Sequence, residues 1–205
     1  MKTNDVDMLF HENRLYQRGY TAIAGVDEAG RGPLCGPVYA AAVIFPKGFF
    51  REEINDSKKL TEKKREALYD IILENASAWS VASIDAEEID KINILNATHK
   101  AMNTAVNALS IKPDFVMIDG NSIKGMQVPH ECIVKGDANS MSIAAASILA
   151  KVSRDRYLIE MDRQYPEYGF AQHKGYGTKA HVAALLKYGP CPLHRKTFLK
   201  KILGK

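Results

Sequence analysis

The sequence predicts an α/β fold: a mixed five-stranded sheet flanked by helices, followed by a small C-terminal helical extension. Three observations lead there. Two apolar runs, residues 21–27 and 38–45, flank a turn rich in glycine and proline, the pattern of an antiparallel hairpin of buried strands. A third strand pattern at 79–84 continues the opening meander. Short apolar strands at 114–119 and 131–134 then alternate with helical stretches, which gives a sheet with helices on its faces.

Each element has its own signal. Residues 1–20 are polar apart from positions such as Met8, Leu9, Phe10, Leu15 and Tyr16, and predict a short helical lead-in. Pro37 and Pro46 bound the second strand. Thr61 is a good N-cap, and Leu68, Ile71 and Ile72 behind it have helical spacing. Residues 86–109 read as one long helix, with Pro113 ending that region. Residues 139–165 carry the strongest helical pattern: small side chains from Ser140 to Ala150 let the helix approach the sheet, and Lys151, Arg154 and Arg156 follow. Residues 169–177 read as a loop. A helix over 178–188 is closed by Gly189-Pro190, and the basic tail from His194 reads as helical in part.

The 205 residues suffice for a substantial core without staples. A net charge of +4 is compatible with a polyanionic partner without requiring one. Cys35, Cys132 and Cys191 form no Cys-x-x-Cys pair, and their odd number argues against a disulfide framework, so reduced thiols in a cytoplasmic protein are expected. The first ten residues read as neither a signal nor a transit peptide, and no apolar run is long enough to span a membrane.

Four acids close predicted strands: Asp27 and Glu28 the first, Asp119 the fourth, Asp137 the fifth. Strand ends along one sheet edge converge, and clustered carboxylates repel unless a cation lies between them. Their hard oxygens suit Mg²⁺ or Mn²⁺, and two such ions can activate a water and stabilise a leaving oxygen at a phosphodiester. Single aspartates at strand ends are commonly turn formers or caps, so Asp119 and Asp137 taken alone read equally as structural.

The segment Gly25-Val26-Asp27-Glu28-Ala29-Gly30-Arg31-Gly32-Pro33-Leu34-Cys35-Gly36-Pro37-Val38 resembles the N-terminal signature of ribonuclease HII. Three further segments are similar to that family in the same order: Asp56-Ser57-Lys58-Lys59-Leu60; Lys135-Gly136-Asp137 running into Ala144-Ala145-Ala146-Ser147-Ile148-Leu149-Ala150-Lys151-Val152; and His173-Lys174-Gly175-Tyr176-Gly177-Thr178. The resemblance spans roughly residues 20–195. It implies a ribonuclease-H-like catalytic domain over 21–165, preceded by the lead-in and followed by a C-terminal loop and helices over 166–205 that contribute a substrate-contacting tyrosine. It implies that Asp27, Glu28, Asp119 and Asp137 bind two divalent ions, Mn²⁺ or Mg²⁺. It assigns Gly30, Arg31 and Gly32 to the ribonucleotide 2′-OH and nearby backbone, Tyr176 to the neighbouring sugar, and Lys58 and Lys151 to phosphate. The implied reaction cuts RNA in RNA–DNA hybrids, and cuts 5′ of ribonucleotides embedded in duplex DNA, leaving 3′-OH and 5′-phosphate ends. A monomer is the default, and a replication-clamp contact is left open.

The residues admit other readings. Gly30-Arg31-Gly32 also begins like a dinucleotide fingerprint, but Gly36 falls at the wrong spacing and Pro33 interrupts the helix start. A resolvase or ribonuclease HIII fits the acids; the glycine motif with Tyr176 fits HII better, and the long N-terminal extension expected of HIII is not seen. A non-catalytic nucleic-acid-binding module fits the charge but not the acids. Lys58, Lys59, Lys151 and Arg154 read alternatively as a solvated face, and Arg195, Lys196, Lys200 and Lys201 as solvated or touching nucleic acid. His173 is given no role.

Overall fold

The first two apolar runs form the expected hairpin: β1 (Ile23–Ala29) and β2 (Val38–Ile44) pair antiparallel, with Asp27 opposite Ala41. The computed structural model describes residues 6–204, so residues 1–5 of the expected lead-in and Lys205 of the basic tail lie outside the described residues. β3 (Ala78–Ile84) adds antiparallel to β2. On the other side β4 (Phe115–Asp119) runs parallel to β1, and β5 (His130–Ile133) parallel to β4. The order β3-β2-β1-β4-β5 is the mixed five-stranded sheet that the sequence predicts.

Side chains alternate along each strand, and here both faces are buried. On one face Ala24, Val26, Ala40 and Ala42 meet Ala97, Ala101 and Ala105 of α4 (Ile94–Asn107). On the other, Ala41 and Val43 meet Ala144, Ala145 and Ile148 of α5 (Met141–Gln164), with α2 (Glu62–Asn75) packed outside through Leu68 and Ile72. Burying a side chain such as Ile148 or Leu149 of α5 stabilises the fold by roughly 1.5–3 kcal/mol. Gly25 decides how close α5 comes: a Cβ there would lie 2.3 Å from the Ser142 carbonyl carbon. α1 (Phe10–Gln17) holds the other end of this contact, since Glu12 Oε1 accepts from the Ser140 hydroxyl and the Ser142 N–H at the start of α5.

Three expectations need correction. The long helix over 86–109 is two helices, α3 (Ala86–Ile92) and α4, broken at Asn93. Asn93 has φ +65, a value asparagine tolerates, and its side chain accepts from the Asn96 N–H to cap α4. The loop over 169–177 contains a single helical turn, α6 (Phe170–His173), seeded by the buried Phe170. Asp27 and Glu28 lie inside β1, not beyond it, because pairing with β2 continues to Ala29 opposite Tyr39. The chain ends with α7 (Lys179–Tyr188) and α8 (Lys196–Leu203), whose first N–H groups are capped by Asp90 of α3.

Candidate active site

The parallel pairing of β1 with β4 brings the C-terminal ends of both strands to one sheet edge, and the turn after β5 reaches the same place. Asp27, Asp119 and Asp137 meet there, each offering an oxygen within 4.8 Å of the others. Asp137 sits in a short helical turn over 136–138; the Gly136 N–H at that turn donates to Asp119 Oδ1 at 2.7 Å, linking the two loops. Asp27 points from β1 toward α5, where the Ser147 hydroxyl acts to lower its pKa; Ser57 Oγ lies 2.8 Å from Ser147 Oγ.

This arrangement is electrostatically costly. Burial, then the charges of Glu28 and Asp119, push Asp27 well above the usual carboxylate range, opposed by the Ser147 hydroxyl and the bond from the Glu28 N–H. Burial and then the Asp137 charge raise Asp119. Oxygen donors alone, gathered this closely and repelling one another, fit a hard divalent cation. Lys58 Nζ donates to Asp137 Oδ2 at 3.0 Å, but its side chain is 76% exposed and supplies only one charge. Burial lowers the Lys58 pKa; the bond and charge of Asp137 outweigh that and raise it overall.

Glu28 lies outside the three-aspartate group. Neighbouring strand residues face opposite ways, and its Oε1 instead accepts from Arg31 Nη1 at 3.3 Å. Burial raises the Glu28 pKa, with Arg31 opposing. The two loops singled out in the sequence are adjacent: a Cβ at Gly32 would lie 3.8 Å from the Tyr176 ring, and Lys151 Nζ is 6.0 Å from that ring's centre. Leu34 N–H donates to Gly175 O at 2.9 Å and ties the loops together. Lys151 also donates to Asp155, and burial lowers its pKa.

Arg154, read alternatively as part of a solvated face, and Arg195, read as solvated or touching nucleic acid, are both fully buried, which corrects both readings. Arg154 donates to the carbonyls of Pro37, Cys35 and Lys174 at 3.0–3.1 Å. Arg195 donates to Gly30, Arg31, Pro33 and Gly36 carbonyls at 2.6–3.0 Å. Gly30, at φ +96, is required by this packing, since a Cβ would lie 2.1 Å from Arg154 Nε. Lys196, Lys200 and Lys201 are exposed, as read. Sequence reasoning also missed Ser147, whose only signal is a hydroxyl within an otherwise alanine-rich stretch that packs on the sheet.

The fold has close counterparts among solved structures. The ribonuclease H2 of Pyrococcus horikoshii OT3 superposes with a TM-score of 0.75 at 27% identity, covering 88% of this chain and 96% of that one. A ribonuclease HIII solved in complex with Mn²⁺ superposes with a TM-score of 0.70 at 20% identity, covering 90% and 70%. Sheet order, flanking helices and acidic edge define a nuclease of the ribonuclease H class.

The family is narrower. The ribonuclease HII family model matches residues 24–201. The ribonuclease HII of Acetivibrio thermocellus is 56% identical over 198 residues, 97% of this chain and 77% of that protein. That of Acholeplasma laidlawii is 55% identical over 193 residues, 94% and 95%. The chain belongs to the ribonuclease HII family and is an endonucleolytic hydrolase. Among the described residues, no helix is long and apolar enough to cross a membrane.

Proposed function

We propose that this enzyme cleaves the RNA strand of RNA–DNA hybrids and cuts on the 5′ side of ribonucleotides embedded in duplex DNA, leaving 3′-OH and 5′-phosphate ends. The observation that carries the reading is the group of buried Asp27 and Asp137 with half-buried Asp119, whose oxygens lie within 4.8 Å of one another. These three, with Glu28 beside them, would hold Mg²⁺ or Mn²⁺. Two bound ions would supply an activated water and charge stabilisation at the departing 3′ oxygen.

The chain's own residues do the rest. Arg31 Nη1 donates to Glu28 Oε1 and steadies that side chain beside the aspartate group. The exposed Arg31–Gly32 turn offers backbone to a ribose 2′-OH, the group that distinguishes RNA from DNA. Tyr176 is 46% exposed beside Gly32, so its ring is free to lie on the next sugar. Lys58 and Lys151 flank these groups as phosphate contacts. Because the attacking oxygen comes from water, the 2′-OH serves recognition and does not attack.

The test is a labelled DNA duplex with one embedded ribonucleotide, incubated with Mg²⁺, Mn²⁺ or chelator. A metal-dependent cut 5′ of the ribonucleotide, with a 3′-OH end, is expected. Ends carrying a 2′,3′-cyclic phosphate would overturn the role given to the 2′-OH. Cleavage of a long hybrid alone would leave the acidic site standing and remove the junction reading.

A further inference from the structure

Beneath the Tyr176 loop lies a second buried polar cluster. Cys35, His181 and His194 each bring a donor atom within 4.8 Å of the others, and all three are buried. Taken as a list of ligands, this set would suit zinc. The protons argue otherwise. The Cys191 N–H donates to His194 Nδ1 at 3.0 Å, so that nitrogen carries no proton. A neutral His194 then holds its proton on Nε2, which lies 3.1 Å from His181 Nε2 and donates to it. His181 in turn carries its proton on Nδ1 and donates to the Tyr176 carbonyl at 2.9 Å. Cys191 Sγ also lies 3.2 Å from His194 Nδ1, so both Cys191 contacts fall on that nitrogen, and neither Nε2 keeps a free lone pair for a metal. Burial lowers both pKa values, His194 to about 4, which favours the neutral rings that this chain of bonds requires.

The next residue acts on the other loop. All five N–H groups of the Arg195 guanidinium find carbonyls in the 30–36 segment. The Gly30 and Arg31 carbonyls both point inward to it. Every described peptide here is trans, so in each peptide unit the N–H points opposite to the C=O. The N–H groups of Arg31 and Gly32 therefore point away from Arg195, toward the exposed side of the turn.

We propose that the His194-Arg195 dipeptide, acting with His181, is the positioning element of the ribonucleotide sensor. His194 fixes the Tyr176 carbonyl through His181, and Arg195 turns the Gly30–Arg31–Gly32 backbone so that two N–H donors face substrate. One short segment thereby holds the stacking ring and the 2′-OH site in register. This rests on the reading of Tyr176 and the glycine turn as the sensor. None of the three side chains touches substrate.

The test compares His181→Ala, His181→Asn and Arg195→Lys with the parent enzyme. Asparagine keeps a donor near the Nδ1 position; lysine keeps charge but not the five-donor fork. Amide exchange of segments 28–36 and 172–180 reads loop order, and the ratio of cutting at a single ribonucleotide to cutting of a uniform hybrid reads sensing. His181→Ala should speed exchange in 172–180 and lower the ratio, each by about tenfold, with His181→Asn restoring most of both. Arg195→Lys should do the same in 28–36, so the idea survives failure of either variant to fold. Unchanged exchange in folded variants would overturn the positioning role. So would a stoichiometric zinc ion retained by the purified parent enzyme after dialysis. Faster exchange with an unchanged ratio would keep the positioning and overturn the sensor reading beneath it.

Discussion

The molecule buries two polar clusters, and they are opposites. At the sheet edge three aspartates crowd together, with one exposed lysine and a few hydrogen bonds to offset their charge. Beneath the glycine and tyrosine loops, two arginines and two histidines are buried with no carboxylate in contact among the described residues, yet their donors end on carbonyls or on each other. The first is left short of positive charge, whereas in the second each side-chain nitrogen has a hydrogen-bond partner. A buried charge cluster that the protein does not neutralise marks where something must bind; one that the backbone saturates holds loops in place.

The largest effect expected from this contrast is at Asp137. Asp137→Asn keeps the shape of the acidic edge but removes one of its charges. Turnover should fall by roughly a thousand-fold or more while hybrid binding changes little. Single-turnover cleavage with Mg²⁺ and hybrid binding in chelator check the two halves. An active variant would remove Asp137 from the site.

The saturated cluster should fail in acid. Burial holds His194 at about 4 in the folded chain against an ordinary value of 6.5. As pH falls below 6.5 the unfolded chain takes up this proton and the folded chain does not. Stability from this group is therefore complete above about 6.5 and lost progressively down to about 4, by about 3 kcal/mol. Asp27 runs the other way: its raised value means that acid relieves its buried charge. Urea unfolding between pH 7 and pH 4.5, with His194→Gln beside the parent, separates the two. The variant should lose part of the acid sensitivity, and an identical slope would show that His194 is not the titrating group.

The same contrast explains what the sequence made legible. The strands were readable because a run such as residues 38–45 declares itself over a few neighbours, and the acids because each follows or ends such a run. The break at Asn93 was hidden, since residues 86–109 keep helical spacing through a residue whose only distinction is tolerance of positive φ. Glu28 looked equivalent to Asp27 until pairing continued past both and turned them to different sides. Arg154 and Arg195 were misread because their acceptors lie 117 to 165 positions away for most of their bonds, beyond any local pattern. Polar groups saturated by distant carbonyls look, in sequence, like solvated charge.

A smaller effect tests the missing charge directly. Asp27→Asn removes a buried carboxylate while its amide oxygen can still accept from the Glu28 N–H. In chelator the variant should be more stable than the parent by about 1 kcal/mol. Adding Mg²⁺ should raise the melting temperature of the parent and leave the variant nearly unmoved. A variant less stable in chelator would mean that the hydrogen bonds to Asp27 already offset its burial.

The smallest effect falls on Lys58, which either cluster logic can claim. If it is an internal counterion for Asp137, Lys58→Ala should sharpen the charge deficit and leave hybrid affinity alone. If it is a phosphate contact, its bond to Asp137 is exchanged for substrate when the hybrid arrives. The 76% exposure of the side chain favours the second, because an exposed pair contributes under about 1 kcal/mol and is easily surrendered. Lys58→Ala should then change stability by less than about 0.5 kcal/mol while lowering the slope of log affinity against log salt by about 1. An unaltered slope with a higher Mg²⁺ affinity would return Lys58 to the acidic edge as its resident positive charge.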